Sequence, residues 1–316
     1  MRRFETVPTI DLSDYTSCDT SLRKQAIRTL GDGLVEFGFL TVEGHGIDPH
    51  LIRQTYALWQ RFFALDEAAK RRHAAAAGGA RGFTPFGVEH AKDNPTPDLK
   101  EFWHVGQEPP PGHPFREEYP PNVWPAEIPE LREPTLALYQ RLEHVAAGLL
   151  RALAEYFDLP RETFSSMMEI GNSLLRILHY PPVAPGSDPA VRAAAHEDIN
   201  LITLLCEATD SGLQLLRRDG SWLAVEALPG QIVVDAGDML ARVTNEVVPA
   251  TTHRVVNPPG GGNRDRYSMP FFVHPYSACD LTILDRFVTA ERSPRYPPIT
   301  AGAFLEERLR EIGLKK

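Results

Sequence analysis

Cysteine is scarce in this chain of 316 residues, and its three cysteines, Cys18, Cys206 and Cys279, lie far apart. An odd number of scattered thiols does not make a disulfide framework and is typical of a reducing compartment. No apolar run approaches the roughly 18 residues that cross a membrane. No apolar segment follows the basic Arg2 and Arg3, as it would in a signal peptide. The sequence therefore predicts a cytoplasmic protein without a membrane partner.

Basic residues are in the minority: 33 Lys and Arg stand against 42 Asp and Glu, giving a net charge of −9. Proteins that neutralise nucleic-acid phosphates usually carry the opposite sign, so we do not expect nucleic acid as a partner. No internal repeat or low-complexity segment is visible, and the hydrophobic fraction of 42% is ordinary for a globular protein. A chain of this length forms one large domain or two modest ones.

The parts of the chain before and after Glu169 differ in their predicted secondary structure. Apolar residues recur at helical spacing over 21–36, 48–65 and 134–157, with a short strand predicted at 7–12 and another at 38–42. Residues 77–125 show little periodicity and many breakers, which predicts a long functional loop. After Glu169, short β-rich runs separated by turns indicate an antiparallel sandwich or barrel. A final helix is predicted within 294–314.

A possible metal-binding pattern lies in the β-rich part. His196-Glu197-Asp198 is followed much later by His253. Residues two apart in a strand point the same way, so His196 and Asp198 are able to chelate one ion together. Two imidazoles and one carboxylate form the facial triad of non-haem Fe(II) oxygenases, which leaves positions open for a co-substrate and O2. Taken alone, the pattern is equally compatible with an ordinary surface strand.

A second pattern follows the triad. Arg266 and Ser268 are two residues apart in a strand-like run, so they share one face and offer a guanidinium fork and a hydroxyl to a single carboxylate. Such a pair suits the far carboxylate of a keto diacid whose other end chelates a metal.

With these residues in place, the sequence resembles the iron- and 2-oxoglutarate-dependent oxygenases of the isopenicillin N synthase type over nearly its whole length. The matching motifs occur in the family's order, and they include Val7-Pro8-Thr9-Ile10-Asp11-Leu12, Gly38-Phe39-Leu40-Thr41-Val42, Arg81-Gly82-Phe83-Thr84-Pro85, Leu175-Arg176-Ile177-Leu178-His179-Tyr180-Pro181, His196-Glu197-Asp198, Gly237-Asp238-Met239-Leu240, His253-Arg254-Val255 and Arg266-Tyr267-Ser268.

The resemblance implies an α+β fold with a double-stranded β-helix, or jelly-roll, core flanked by helices. It divides the chain into an N-terminal region, residues 1–125, and an oxygenase domain with its long helix, residues 126–316. It implies a non-haem iron dioxygenase that oxidises a small organic molecule with O2 and releases succinate and CO2. Hydroxylation, desaturation and ring closure all remain open.

The site roles implied by the resemblance fall on six residues. His196, Asp198 and His253 match the iron ligands, while Arg266, Ser268 and Tyr180 match the residues that bind 2-oxoglutarate. Three neighbouring positions depart from the family's usual residues, namely Leu178, Glu197 and Asn200. These departures flank the metal site without removing a ligand, and they make a transfer of substrate from plant relatives unsafe.

Three other functions are compatible with part of these patterns. A same-family oxidase that uses no 2-oxoglutarate would bind its own substrate's carboxylate with Arg266 and Ser268. A non-catalytic ligand-binding relative would normally lose a metal ligand, and none is lost here. A zinc hydrolase would leave Arg266 and Ser268 unexplained, and the HExxH helix typical of such enzymes is missing from the sequence.

The sequence does not identify the substrate. The predicted substrate-pocket residues are Arg81, Phe83, Phe102, Arg176, His179, Phe271 and Phe272. Core packing for the aromatic residues and surface positions for the charged ones are the alternative interpretation. The loop at 77–125 is expected to form one wall of the pocket, and the C-terminal helix either covers the barrel or packs outside it.

Overall fold

A computed structural model describes residues 4–74, 80–88, 100–182, 193–206, 212–226, 228–256 and 264–311. Its helices, in chain order, are α1 (Leu12–Tyr15), α2 (Thr20–Phe37), α3 (Pro49–Phe63), α4 (Glu67–Arg71), α5 (Arg132–Tyr156), α6 (Asp238–Val243) and α7 (Ala301–Glu311). Within these residues, no helix combines the length and the apolar character that a membrane crossing requires.

Twelve strands of the described residues form two sheets. They are β1 (Thr9–Asp11), β2 (Phe39–Glu43), β3 (Gly82–Thr84), β4 (Glu101–Gly106), β5 (Leu174–Tyr180), β6 (Ala193–His196), β7 (Ile202–Cys206), β8 (Leu213–Leu216), β9 (Trp222–Ala224), β10 (Ile232–Ala236), β11 (His253–Val255) and β12 (Arg266–Val273). The larger sheet has the order β1-β2-β10-β7-β12-β5-β4-β3, and the smaller one has the order β6-β11-β8-β9. All pairs are antiparallel except β1 with β2.

The larger sheet buries both of its faces. Its outer face packs against the helices, where Phe271 of β12 meets Tyr139 of α5 edge to face at 4.9 Å. Its inner face packs against the smaller sheet, and there the Phe39 ring lies 5.6 Å from the imidazole of His253. Successive side chains of a strand alternate between faces, so each residue of β5 or β12 belongs either to the helix-side core or to the barrel interior.

The predicted helices and the jelly-roll class are confirmed. The segments 21–36, 48–65 and 134–157 correspond to α2, α3 and α5, and the runs after Glu169 form the strands of both sheets. Asp19 and Asp48 explain two of the helix starts, because their carboxylates accept hydrogen bonds from backbone amides of the first turns of α2 and α3. The division of the chain at residue 125 stays a prediction, and strands from both sides of it share the larger sheet.

The prediction of a continuous loop over 77–125 is wrong, because β3 and β4 lie within it and extend the larger sheet beyond β5. All six residues of β4 are buried, so its sequence lacks the polar and apolar alternation that marks a strand with one exposed face. Residues 75–79 and 89–99 of this segment lie outside the described residues.

Candidate active site

His196, Asp198 and His253 come together in the barrel interior. His196 ends β6 and lies directly opposite His253, the first residue of β11. One nitrogen or oxygen of each of the three side chains lies within 4.8 Å of the others. The Nε2 atoms of His196 and His253 are 3.7 Å and 4.0 Å from Oδ1 of Asp198. Two imidazoles and a carboxylate at this spacing suit one divalent transition metal.

Backbone carbonyls hold both imidazoles in a tautomer that is able to bind a metal. The Nδ1 atom of His196 lies 2.7 Å from the carbonyl oxygen of Ala194, and that of His253 lies 3.1 Å from the carbonyl of Thr251. A carbonyl only accepts, so each Nδ1 carries the proton and each Nε2 keeps a lone pair. The Nε2 atoms are the ones that face Asp198.

Asp198 is buried and ionised. Burial alone would raise the pKa of its carboxyl, but the attraction of His253 and His196 and a hydrogen bond from the Thr203 hydroxyl hold that pKa below its usual value. Burial, together with His196, lowers the pKa of His253 to about 4. At neutral pH the site therefore presents a neutral His253 and a charged carboxylate, the forms that bind a metal.

A second carboxyl group supports Asp198. Burial, followed by repulsion from Asp198, raises the pKa of Asp235 well above its usual value, and the two side chains share a hydrogen bond. Asp235 is therefore protonated and is the donor of that bond. Asp235 is paired with Thr203 across β10 and β7, so both residues face the interior and contact the same ligand residue.

Backbone contacts fix the chain around Asp198. The amide nitrogen of Asp238 donates to the Asp198 carbonyl at 2.7 Å. A Cβ atom at Gly237 would lie 2.4 Å from the carbonyl oxygen of Asn200, so only glycine fits this close approach. Arg308 of α7 lies 3.3 Å from the Asp238 carboxylate, so the C-terminal helix packs beside the loop that carries Asp198.

Arg266, Ser268 and Tyr180 lie together on the inner face of the larger sheet. Arg266 is paired with Tyr180 across β12 and β5, and Ser268 follows on the same face. The Arg266 side chain is only 2% exposed, and its Nη1 lies 3.5 Å from the Ser268 hydroxyl. The guanidinium carbon is 5.2 Å from the centre of the Tyr180 ring. This arrangement offers a buried positive charge and two hydroxyl groups to an anion.

Three of the predicted pocket residues also face the interior. Phe102 is paired with Leu178 across β4 and β5, and Phe272 is paired with Thr203 across β12 and β7. The guanidinium carbon of Arg176 lies 4.3 Å from the Phe102 ring centre and 5.2 Å from that of Phe272. These three residues therefore form one group inside the barrel.

The other four predicted pocket residues lie elsewhere, which corrects the sequence-based expectation. Phe83 and Phe271 belong to the helix-side core and are fully buried there. His179 faces the same side, where its ring nitrogens contact Glu101 at 2.8 Å and Asp265 at 2.7 Å. The reason is strand alternation: Tyr180 and Phe272 point inward, so His179 and Phe271 point outward.

Arg81 is buried at the end of β3 and β4, outside the barrel interior. Its Nη1 donates to the carbonyl of Ala80 at 2.7 Å, and a Cβ atom at Gly106 would lie 2.0 Å from its guanidinium carbon. Burial lowers the pKa of this guanidinium, and the buried Tyr139 lies near enough to oppose the shift. Arg81 therefore packs against the helix side of the sheet.

Sequence reasoning missed three interior residues: His104, Asp235 and His274. His104 lies on β4, which was not predicted, so no pattern pointed to it. Asp235 lies in one of the β-rich runs after Glu169, which forms β10, and alternation alone would have placed it inside. His274 follows β12, and burial lowers its pKa to about 4. Among the described residues its Nδ1 atom has no hydrogen-bond partner.

Comparison with known proteins agrees with this geometry. The model of the 2OG-Fe(II) oxygenase superfamily matches residues 171–275, and that of the non-haem dioxygenase in morphine synthesis N-terminal family matches residues 7–127. A 2-oxoglutarate-Fe(II) type oxidoreductase from Aspergillus fumigatus is 30% identical over 315 residues, which cover 96% of this chain and 92% of the relative.

Solved structures are similar over nearly the whole chain. A 2OG-Fe(II) oxygenase family protein from Caulobacter crescentus is 44% identical with a TM-score of 0.88, covering 97% of this chain and 99% of that one. A Neurospora crassa protein in complex with alpha-KG and thymine is 28% identical with a TM-score of 0.86, and the match covers 98% of each chain. Alpha-KG is another name for 2-oxoglutarate.

These relatives decide between the functions that the sequence left open. Relatives named as a 2-oxoglutarate-Fe(II) type oxidoreductase and as a 2-oxoglutarate-dependent dioxygenase match over nearly the full length, which argues against an oxidase without 2-oxoglutarate, a non-catalytic relative and a zinc hydrolase. The chain belongs to the 2OG-Fe(II) oxygenase superfamily, and it is a non-haem dioxygenase that uses Fe(II), 2-oxoglutarate and O2 to oxidise a small organic molecule.

Proposed function

We propose that His196, Asp198 and His253 hold the Fe(II) of this dioxygenase. The observation that carries the proposal is the convergence of their three ligand atoms within 4.8 Å in the barrel interior. The donor set fits, because both histidines keep an Nε2 lone pair and Asp198 is ionised. The Thr203 hydroxyl and the protonated Asp235 both donate hydrogen bonds to the Asp198 carboxylate. These bonds fix the orientation of this ligand before the metal binds.

The same proposal assigns 2-oxoglutarate to the wall made by β5 and β12. The Arg266 fork and the Ser268 hydroxyl would bind the distal carboxylate, and the Tyr180 hydroxyl would donate to the bound diacid. Arg266 is almost completely buried, so its charge is little screened by water and strongly favours an anion. Bound Fe(II) would supply the activation of O2 that is coupled to the oxidation of 2-oxoglutarate to succinate and CO2.

The remaining interior surface would hold the substrate. Arg176, Phe102 and Phe272 lie on the inner face of the same sheet as the proposed 2-oxoglutarate site. A molecule bound there would lie between the walls of the barrel and beside Asp198. The protein's contribution would then be orientation and exclusion of water, since bound Fe(II) would supply the oxidative chemistry.

The test measures the metal and the co-substrate directly. Without O2, the wild-type protein with Fe(II) and 2-oxoglutarate should show the visible charge-transfer absorption of a keto acid chelated to Fe(II). His196→Ala, Asp198→Ala and His253→Ala should each lose this absorption and the rise in melting temperature that Fe(II) binding produces. His50→Gln, a change at an exposed histidine of α3, is the control. An Asp198→Ala protein with full iron content and full succinate release would refute the assignment.

A further inference from the structure

His179 is a buried histidine with an acidic partner at each of its two ring nitrogens. Its Nδ1 lies 2.8 Å from Oε1 of Glu101, and its Nε2 lies 2.7 Å from Oδ1 of Asp265. An ionised carboxylate only accepts hydrogen bonds, so both contacts are hydrogen bonds only when both ring nitrogens carry a proton. The geometry therefore fits an imidazolium ion between two carboxylates.

The surroundings of His179 hold its ring in one orientation. The Tyr267 ring stacks on the imidazole with the ring centres 4.7 Å apart, and the Phe63 ring of α3 lies 5.3 Å away. Burial raises the pKa of Tyr267 to about 12, so its hydroxyl stays neutral near pH 7. Lys70 of α4 donates to both carboxylate oxygens of Glu101, at 2.9 Å and 2.7 Å. Among the described residues, His179 forms ion pairs or side-chain hydrogen bonds only with its two acids.

This cluster lies directly behind the proposed 2-oxoglutarate residues. His179 and Asp265 immediately precede Tyr180 and Arg266 in the chain, and Tyr180 is paired with Arg266 across β5 and β12. The bond from His179 to Asp265 therefore joins the two strands on the helix side, while Tyr180 and Arg266 face the interior. Asp265 comes just before β12, so this bond holds the start of that strand against β5.

The two acids differ in how firmly they are held. Glu101 is buried and bound by Lys70, whereas the side chain of Asp265 is 51% exposed. A neutral imidazole has one N–H, so loss of a proton sets a nitrogen lone pair against one of the two carboxylates. Asp265 is able to turn into water, but Glu101 would lose its hydrogen bond inside the protein. The contact that opens on deprotonation is therefore the one at Asp265, beside Arg266.

We propose that His179 is a positioning residue for 2-oxoglutarate and that 2-oxoglutarate binds more weakly as rising pH removes the second proton of this histidine. With both protons, His179 holds Asp265 and keeps the Arg266 guanidinium preorganised beside Tyr180. The arrangement that binds 2-oxoglutarate holds one more proton than the released arrangement, so the proton and 2-oxoglutarate favour each other's binding. This inference rests on the proposed function, which assigns Arg266 and Tyr180 to 2-oxoglutarate.

The test follows 2-oxoglutarate binding over the pH range in which histidine ordinarily titrates. Without O2, 2-oxoglutarate is titrated into the protein loaded with Fe(II) at several pH values between about 6 and about 8, on either side of the usual histidine pKa. The charge-transfer absorption reports the affinity for 2-oxoglutarate. Fe(II) affinity is measured separately at each pH, so that protonation of the metal ligands is not mistaken for an effect of His179.

Two variants change the contact in different ways. His179→Gln keeps a polar side chain but has no group that titrates in this range. Asp265→Asn offers the imidazole both an acceptor and a donor, so its contact with His179 survives in either protonation state.

His73→Gln is a matched control. The Nε2 of His73 also lies 2.7 Å from a carboxylate oxygen, that of Glu127, and its ring lies 6.3 Å from the Phe62 ring. Neither His73 nor Glu127 belongs to β5 or β12. A pH effect that disappears in His179→Gln and persists in His73→Gln is therefore specific to the contact behind the 2-oxoglutarate site.

The affinity of the wild-type protein for 2-oxoglutarate should fall about 2- to 30-fold across this pH range, the range for residues that act on binding through their neighbours. His73→Gln should show the same fall. His179→Gln should bind 2-oxoglutarate weakly at every pH, and Asp265→Asn should keep about the same affinity throughout. At each pH, the variants and the wild type should bind Fe(II) equally.

A wild-type affinity that does not fall with pH would overturn the inference, and so would an unchanged fall in His179→Gln or in Asp265→Asn. Because Asp265 is half exposed, Asp265→Asn still gives an answer if the buried His179→Gln change prevents folding. Failure of the proposed function would look different. The charge-transfer absorption would then be missing at every pH, or Arg266→Ala would leave the affinity for 2-oxoglutarate unchanged.

Discussion

The imidazole rings of His196 and His253 lie 4.4 Å apart, because β6 and β11 pair these two residues directly across the smaller sheet. Two parts of the chain that are distant in sequence are thereby held at a separation that one ion is able to bridge. Asp198 completes the set only two residues after His196. Strand pairing therefore fixes the two histidine ligands, and the turn after β6 has to position only the Asp198 carboxylate.

Arg266 and Ser268 should contribute unequally to 2-oxoglutarate binding. Arg266→Ala removes a buried charge, so we expect the binding free energy of 2-oxoglutarate to become less favourable by roughly 2–5 kcal/mol. Ser268→Ala removes one neutral donor and should cost about 1 kcal/mol. Anaerobic titration followed by the charge-transfer absorption measures both. Negligible effects from both changes would mean that the diacid binds elsewhere.

Asp235 should orient Asp198 through a hydrogen bond and not through charge. Asp235→Asn keeps a donor of the same shape, so Fe(II) affinity should stay within about tenfold of the wild type. Asp235→Leu removes the donor, and we expect Fe(II) affinity to fall by about 10- to 100-fold, the range found for partners of metal ligands. If Asn and Leu weaken metal binding to the same extent, the hydrogen bond has no such role.

The metal-free protein should lose stability between pH 6.5 and pH 4, in part because of His274. Burial lowers the pKa of this histidine from 6.5 to about 4. The unfolded chain therefore binds a proton over this range while the folded chain does not, so stability is full above pH 6.5 and falls as the pH decreases. One such residue accounts for about 3 kcal/mol at pH 4.

Urea unfolding at several pH values tests this sign. His274→Gln should flatten the pH dependence of the free energy of unfolding, whatever its effect on stability at pH 7. His50→Gln, at an exposed position, should leave the dependence unchanged. A variant at His274 with the wild-type slope would show that other groups cause the loss.

Substitutions at Phe83 and Phe102 should have different effects: a change at Phe83 should lower stability, and a change at Phe102 should alter substrate binding. Phe83 is fully buried on the helix side, so Phe83→Ala should lower the free energy of unfolding by about 3–5 kcal/mol and leave substrate preference unchanged. Phe102 lies under Arg176 in the interior, so Phe102→Leu should alter the KM for substrate more than it alters Fe(II) affinity. Equal changes in substrate preference in both variants would contradict this division.

The sequence was informative where residue type and spacing carry the chemistry. Arg266 and Ser268, two apart in a strand, were predicted to share a face, and they do. The ligand atoms of His196 and Asp198 also lie together, although β6 ends at His196 and Asp198 follows in the turn. The same alternation also determines which side chains point inward. Arg266 inside the barrel implies Phe272 inside and Phe271 outside, a consequence that the expectation for both phenylalanines overlooked.

Other features depend on contacts that no local pattern reveals. Both faces of strand β4 are buried because helices cover one side and the barrel interior the other, so its sequence shows no alternation. The protonation of Asp235 follows from its burial and from the presence of Asp198 on a neighbouring segment, and the separation of these two residues in the chain hides it. Pairing partners of this kind become visible only in three dimensions.

The strand order of the larger sheet also has a consequence for synthesis. β2 emerges from the ribosome early, but β10, the antiparallel neighbour that connects it to the rest of the sheet, emerges much later. Until then, the apolar β2 has an unpaired edge that another nascent chain is able to occupy. Because β12 must insert between β7 and β5, the sheet closes only after Val273 has been made. Slow folding is therefore expected for a sheet that is assembled from both ends of the chain.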